Sequence, residues 1–285
     1  MPCPGETSLV PVHMGVFAMK FAVRENMAPG KTLRERFESL VRLKIQGIEL
    51  TGASTLDHKD EVKDLVKETG VVPCVCSGRG GAILDARRTE RDLFLNELKL
   101  ALQACGEFGG VGVIVVPLLP VKMQNRPRIS DLSPWKTSLQ LEKELFEVQM
   151  RDIAPVAEAA GAAVIIEPLN RYEQWWPNKV SDGAAVCQAV GSRGIMTMAD
   201  FFHMNIEEPQ FAAAVKENLP YIAHVHLADS HRRLPGSGHT DFRAALRALA
   251  DGGYDGYYGF ECAIDGDPFE ALPAAMRYIE QQAGA

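Results

Sequence analysis

Four polar side chains in the second half of the sequence each stand at or near the end of a short apolar run. Glu167 ends AAVIIE, Asp200 ends GIMTMAD, His226 lies near the end of IAHVHLAD, and Glu261 ends GYYGFE. Any one of them could be a satisfied polar residue at a loop junction. Together, three carboxylates and one imidazole form a ligand set for one divalent ion, with Mn²⁺, Mg²⁺ or Co²⁺ preferred and Zn²⁺ as a further option.

Histidines are concentrated in the same half of the chain. Five of the seven lie between residues 203 and 239. His224 and His226 belong to one predicted strand and are separated by one residue, so their side chains point to the same face. We expect only His226, which is nearer the carboxyl end, to reach the site. We interpret His224 as a hydrogen-bonded core residue.

The elements that must position these residues alternate along the chain. Short apolar segments, each followed by a stretch with helical spacing, predict parallel strands with right-handed crossovers. Eight strand–helix units in 285 residues favour one (β/α)₈ TIM barrel, a single domain over residues 1–285. An open doubly wound sheet is the alternative, although no glycine-rich turn follows the first strand. The predicted strands are residues 12–17, 47–50, 71–76, 111–118, 162–168, 194–200, 222–229 and 256–262.

Composition limits the class of protein. The chain is 46% hydrophobic and 24% charged, with a formal net charge of −7, so nucleic acid is not an expected partner. No apolar run approaches the length of a membrane span, and the first residues do not resemble a secretion signal. Six scattered cysteines without a CxxC pair indicate neither a disulfide scaffold nor a structural zinc site. We therefore expect a soluble, reduced, cytoplasmic protein with no membrane partner.

Three segments carry a resemblance to a known family. IIEPLNRYE (165–173), ADFFHMNIEE (199–208) and HVHLADSHRRLPGSGHTDF (224–242) resemble the xylose-isomerase-like TIM-barrel superfamily. They are most similar to its sugar isomerase/epimerase branch, which contains the D-tagatose/D-psicose 3-epimerases. The resemblance is specific from about residue 160 to 262 and architectural before that. It implies a homo-oligomer, either a dimer or a tetramer.

The resemblance also implies roles for individual residues. One divalent ion would be held by the four strand-end residues, with Glu167 and Glu261 as acid and base on opposite faces of a sugar. Glu173, His203 and Arg232 would bind the sugar hydroxyls and carbonyl. The chemistry agrees, because a cis-enediolate formed by proton removal beside a carbonyl needs a metal and hydrogen-bond donors.

Other candidate contacts come from the loops and the first half of the chain. Two long loops, 118–138 and 168–180, follow the fourth and fifth strands, where barrel active sites are commonly built. Trp175 follows Glu173 on the second loop and could stack on a sugar ring or pack structurally. Glu49 is the best candidate for a substrate-binding residue from the first half of the chain. Cys76, Ser77 and Arg79 end the third strand without an assigned role.

The sequence predicts a metal-dependent sugar isomerase or ketose 3-epimerase. An apurinic-endonuclease-like zinc phosphodiesterase is the alternative from another class, but it needs histidines where the third and fourth strands end in CVCSG and VVPLLP. A binding protein without catalysis would need neither Glu167 nor Glu261. A dehydratase or isomerase of a related polyol or hydroxy-keto acid stays open, since it shares the enediolate step.

Overall fold

Eight parallel strands close into a barrel in the computed structural model, which describes residues 19–284. The strands follow one another around the barrel in chain order, and the first pairs with the last. The predicted (β/α)₈ fold is confirmed. The strands are β1 (Lys20–Arg24), β2 (Gly47–Leu50), β3 (Val72–Cys76), β4 (Gly112–Val115), β5 (Ala163–Ile166), β6 (Ile195–Asp200), β7 (Ile222–Leu227) and β8 (Tyr257–Phe260).

Helices surround the barrel, and several connections hold two of them. Two helices follow each of β2, β4 and β6, so the expectation of one helix per strand is wrong. These connections are long enough to form a short helix at the mouth before the main one. The helices are α1 (Leu33–Leu43), α2 (Gly52–Asp57), α3 (Lys59–Thr69), α4 (Arg88–Phe108), α5 (Leu119–Met123), α6 (Ser138–Ala160), α7 (Val180–Val190), α8 (Phe201–Glu207), α9 (Phe211–Asn218), α10 (Arg243–Asp251) and α11 (Pro268–Ala283).

The first strand differs from its prediction. The segment predicted as a strand, 12–17, lies outside the described residues, and β1 is KFAVR at Lys20–Arg24. Its three central residues are buried and its charged ends are partly exposed. The other seven predicted strands are present. β2 has its predicted bounds, β3 and β6 begin one residue later, and β4, β5, β7 and β8 end earlier because their last predicted residues belong to the loops at the barrel mouth.

The core forms between the strands and the inner faces of the helices. In α1, the spacing of Leu33, Phe37, Leu40 and Leu43 buries one stripe of the helix against the barrel. Gly161 ends α6 in the left-handed conformation, as its position after the helical pattern predicts. Among residues 19–284, none of the helices combines the length and the apolar character needed to cross a membrane.

Candidate active site

The four strand-end residues meet at one mouth of the barrel. Glu167 follows β5, Asp200 ends β6, His226 lies next to the end of β7, and Glu261 follows β8. One potential ligand atom from each lies within 4.8 Å of the others, and all four residues are buried. The His226 Nδ1 atom is 3.3 Å from Asp200 Oδ2, 3.4 Å from Glu167 Oε1 and 3.5 Å from Glu261 Oε2. The structure therefore brings together the four side chains that the sequence analysis singled out.

The donor set fits a divalent ion. Three carboxylates face one imidazole nitrogen, which is a combination of hard and borderline ligands. Glu167 Oε1 is buried and has no hydrogen-bond partner among residues 19–284, although it is aimed into the cluster. A buried carboxylate oxygen without a partner is costly unless a cation or donor satisfies it. These four residues could hold one metal ion.

The surroundings of the two glutamates differ. Burial raises the pKa of Glu167 above its ordinary value, and the nearby charge of Glu261 adds to this. Burial alone would raise the pKa of Glu261 too, but the charges of His226 and Arg24 outweigh it, and that pKa is lowered. Glu261 is held from both sides, because Arg24 donates to Oε1 and Arg232 Nη2 donates to Oε2 at 2.6 Å.

Arg232 is carried by a loop that Asp229 organises. Asp229 is buried, and its two carboxylate oxygens accept hydrogen bonds from four backbone N–H groups of the loop. Arg232 itself adopts a φ of 57°, in the left-handed region. Gly238 is required there, since a Cβ atom would lie 2.3 Å from Asp229 Oδ1. The four donors belong to Ser230, Gly236, Gly238 and Thr240.

The three residues expected to bind sugar lie together beside the cluster. Glu173 Oε1 is 3.5 Å from Arg232 Nη1, and that nitrogen is 3.5 Å from His203 Nε2. The backbone N–H of Asn170 donates to His203 Nδ1 at 3.1 Å, which fixes the imidazole ring. Asp200 accepts from the backbone N–H of His203 and so places the first turn of α8. Donors and acceptors for substrate oxygens are thus grouped at one side of the site.

Glu49 lies deeper than a substrate contact on the rim would. It is buried, and its two carboxylate oxygens are hydrogen-bonded to His224 Nε2 at 2.8 Å and His226 Nε2 at 3.1 Å. It also forms part of the wall of the central cavity. His224 is a fully buried, hydrogen-bonded residue, as its interpretation from the sequence stated.

Trp175 is engaged elsewhere. Its indole N–H donates to Glu142 Oε2 at 3.0 Å, and the Arg128 guanidinium lies over its ring at 4.3 Å. The residues between 19 and 284 that line the central cavity do not include Trp175. This placement gives no support to stacking on a sugar and agrees with the structural alternative.

A cavity of about 410 Å³ opens above the cluster and extends towards the loops after β3 and β4. Ser77 and Arg79 line it, whereas Cys76 is buried behind them. Arg79 is paired with Asp57 and Glu97, so it braces the wall. Other lining residues from this side are Gly78, Gly81, Phe94, Leu119, Gln124 and Arg126.

Sequence reasoning missed Arg24, Asn170 and Arg126. The charge of Arg24 stands at the end of an apolar triplet in β1, which is the same signal that identifies Glu167 and Glu261, but the sequence predicts the first strand earlier in the chain, at 12–17. Asn170 lies within IIEPLNRYE and contacts His203. Arg126 joins Glu90 of α4 to the loop before α6, a contact that no local pattern predicts.

Fold and site together define a parallel (β/α)₈ barrel enzyme with a candidate metal centre at the carboxyl ends of β5 to β8. The chain belongs to the xylose isomerase-like TIM barrel family, whose profile matches residues 37–282. The predicted family is confirmed.

Comparison with individual relatives indicates which class of enzyme within this family the chain resembles. The 3-dehydro-D-guloside 4-epimerase of Escherichia coli K12 is 31% identical over 263 residues, which cover 92% of this chain and 99% of that protein. The crystal structure of a 3-keto-D-glucoside 4-epimerase from E. coli has a TM-score of 0.83 at 30% identity and covers 93% of this chain and 100% of that one. A D-psicose 3-epimerase of Ruminiclostridium cellulolyticum is 36% identical over 107 residues, which cover 38% of this chain and 36% of that protein. This protein is an enzyme of the isomerase/epimerase class.

Proposed function

We propose that this protein is a divalent-metal-dependent epimerase of keto sugars, with one ion held by Glu167, Asp200, His226 and Glu261. The convergence of these four buried side chains beneath a cavity is the observation that carries the proposal. Mn²⁺, Mg²⁺ and Co²⁺ suit the donor set best, with Zn²⁺ as a further option.

The relatives' names share one chemical feature. In a 3-dehydro sugar inverted at C4, and in a 2-ketose inverted at C3, the inverted carbon adjoins the carbonyl. A proton on such a carbon is acidic because its removal gives an enediolate. When bound, the divalent ion would supply positive charge against the negative charge that develops on the substrate oxygens.

The two glutamates would carry the proton. One carboxylate removes it from one face of the carbon, and the other carboxyl group, in its protonated form, delivers a proton to the opposite face. Two arginines donate hydrogen bonds to Glu261, whereas Glu167 Oε1 has no hydrogen-bond partner among residues 19–284. The roles of base and acid are exchanged between the forward and the reverse direction.

His203, Arg232 and Glu173 would orient the substrate. Arg232 and His203 can donate hydrogen bonds to the carbonyl oxygen, and Glu173 can accept from a sugar hydroxyl. Their contacts with one another and with Asn170 hold them in place before substrate arrives. Preorganised donors of this kind lower the cost of building charge in the transition state.

The substrate class we propose is a keto sugar that can carry a further substituent, such as a glycoside. The cavity continues past the cluster to Phe94 and Arg126, which leaves room for a group beyond the reacting ring. The relative matched over its whole length is named for a guloside. A free ketose is the other member of the class, and dehydration or isomerisation of a related polyol or hydroxy-keto acid would use the same first step.

The zinc phosphodiesterase alternative gains no support from the barrel mouth. β3 and β4 lead into Ser77 and Val116, where a three-zinc site would need histidine. The remaining predictions are a homo-oligomer, either a dimer or a tetramer, and a cytoplasmic location. Light scattering on the purified full chain tests the first.

The experiment that tests the function is a screen of 3-keto glycosides, free ketoses and aldoses in D₂O with added Mn²⁺. NMR then reports which carbon exchanges its proton for deuterium, even where net turnover is slow. Exchange at the carbon beside the carbonyl, lost when the ion is removed by a chelator, is the expected result. Exchange that persists without metal, or at no carbon of any keto sugar, contradicts the proposal.

A further inference from the structure

A carboxylate from β2 crosses the barrel to both histidines of β7. Glu49 Oε1 lies 2.8 Å from His224 Nε2, and Glu49 Oε2 lies 3.1 Å from His226 Nε2. The two histidine side chains are almost completely buried, and Glu49 is 6% exposed. A charge so deeply buried is stable only with partners of this kind.

The neighbouring strand leaves the space for this contact. Gly259 of β8 pairs with His226 in the barrel, and a Cβ atom on Gly259 would lie 2.1 Å from Glu49 Oε1 and 3.0 Å from His224 Nε2. Any side chain there would push the carboxylate away. The pairing is therefore built by three strands, which supply the carboxylate, the imidazoles and the gap.

This contact with Glu49 gives the two ring nitrogens of His226 different neighbours. Its Nδ1 faces Asp200, Glu167 and Glu261, while its Nε2 faces Glu49. A histidine ligand needs a lone pair on the nitrogen that binds the metal, and its other nitrogen then carries the proton. A carboxylate that accepts the N–H of a histidine ligand fixes its tautomer and ring orientation.

His224 is hydrogen-bonded to the other carboxylate oxygen of Glu49, Oε1. Its Nδ1 is buried without a hydrogen-bond partner among residues 19–284, so a proton there would be an unsatisfied donor. The proton of neutral His224 therefore belongs on Nε2, pointing at Glu49. With one imidazole N–H on each oxygen, the carboxylate cannot rotate away from His226.

We propose that Glu49 is a positioning residue that holds His226 in the Nε2–H form, so that Nδ1 is the metal ligand, and that His224 braces Glu49. The inference rests on the proposed metal site. It also assigns the trio Glu49, His224 and His226, which has the spacing of a metal site in its own right, to hydrogen bonding rather than to a second ion.

The first test compares Glu49→Gln with Glu142→Gln in the metal-stripped full chain. A glutamine at position 49 offers one acceptor and one donor where two N–H groups need acceptors. The dissociation constant for Mn²⁺, measured by calorimetry, should therefore rise about 10–100-fold. Glu142 is a matched control, because it is a buried carboxylate with two partners, Arg128 and Trp175, outside the metal cluster. Its variant should bind Mn²⁺ as the wild type does.

The second test needs no variant. Long-range ¹H–¹⁵N NMR of the wild-type protein loaded with a diamagnetic divalent ion, Mg²⁺ or Zn²⁺, should show His226 and His224 protonated at Nε2 with unprotonated Nδ1. A His226 protonated at Nδ1 would overturn the inference, and this holds even if Glu49→Gln does not fold.

The outcomes separate the inference from the function on which it rests. If the wild type binds no divalent ion, the proposed function and the positioning role both fail. If the wild type binds one ion and Glu49→Gln binds it equally well, the positioning role alone is wrong. Two ions per chain, or an equal loss of affinity in Glu142→Gln, would also refute it.

Discussion

Asp200 contacts His226 with one carboxylate oxygen and the start of helix α8 with the other. Its Oδ2 lies 3.3 Å from His226 Nδ1, while its Oδ1 accepts the backbone N–H groups of Phe202 and His203 at the start of α8. One carboxylate therefore directs one oxygen at His226 in the metal cluster and uses the other to hold the start of the helix that carries His203. A substitution that separates these two functions tests whether the site is built in this way.

Replacement of Asp200 by Asn should leave helix α8 intact and weaken binding of the divalent ion. Asparagine is as good an N-terminal cap as aspartate, but it brings no charge to the cluster. Asp200→Ala should weaken binding of the ion at least as much, because it also removes the side-chain oxygen, and should lose about 1 kcal/mol of stability through the missing cap. Urea unfolding and calorimetry with Mn²⁺ measure the two effects. If both variants unfold at the same urea concentration, the cap contributes nothing.

The loop that carries Arg232 should be sensitive to acid through Asp229. Burial opposes ionisation of Asp229, but the backbone N–H groups of Thr240, Gly238 and their neighbours outweigh it and lower its pKa to about 2. A pKa lowered in the folded state stabilises the fold above the unfolded-state value, near 4, and this stabilisation is lost as the pH falls through about 2.

Asp229→Asn should therefore be less stable than the wild type by about 2 kcal/mol at pH 7, with the difference shrinking as the pH falls from 5 towards 2. Denaturant unfolding at a series of pH values measures this. Asp241→Asn, on the same loop but exposed, is the control and should show a much smaller change. A difference that does not vary with pH would rule out the ionised carboxylate as the cause.

Trp175→Phe should leave catalysis almost unchanged and reduce stability. The substitution removes the N–H donor to buried Glu142 while keeping an aromatic ring, so a loss of about 1–2 kcal/mol is expected. Trp135→Phe, at a site where the tryptophan is 68% exposed, should change neither property. A fall of tenfold or more in kcat/KM for Trp175→Phe would restore Trp175 as a substrate contact.

The part of the site that could be predicted is the part encoded locally. Asp200 ends a buried strand and Glu167 and Glu261 each directly follow one, and a polar residue at such a position is visible in a single stretch of sequence. The partners of Glu49 were not predictable in this way, because His224 is 175 residues away and the contact depends on closure of the barrel. A barrel can be recognised from its alternating pattern, but contacts across its interior cannot.

The first strand and Trp175 show the same limit. β1 is a buried triplet between Lys20 and Arg24, too short and too charged to compete with the apolar run before it. Trp175 stands on a loop near the site, and nothing in the loop sequence shows that its indole turns to Glu142 of α6. In both cases tertiary contacts decided what local composition left open.

The two glutamates should prove separable in their catalytic roles. Glu167→Gln and Glu261→Gln each keep a carbonyl oxygen that can face the ion but lose the group that carries the proton. Since a positioned acid or base contributes about 10²–10⁴-fold, each variant should lose at least about 100-fold in kcat. The assay needs saturating Mn²⁺, because loss of one ligand charge also weakens binding of the ion.

Deuterium exchange in D₂O distinguishes the two faces of the substrate. With one glutamate replaced, the other can still exchange the proton on its own face, so one variant should label one epimer without interconverting the two. Glu142→Gln, whose carboxylate contacts Arg128 and Trp175 instead, should epimerise normally. If both site variants epimerise at near wild-type rates with saturating metal, the glutamates are ligands only. The proton carrier would then have to be sought among the neighbouring groups, beginning with His203.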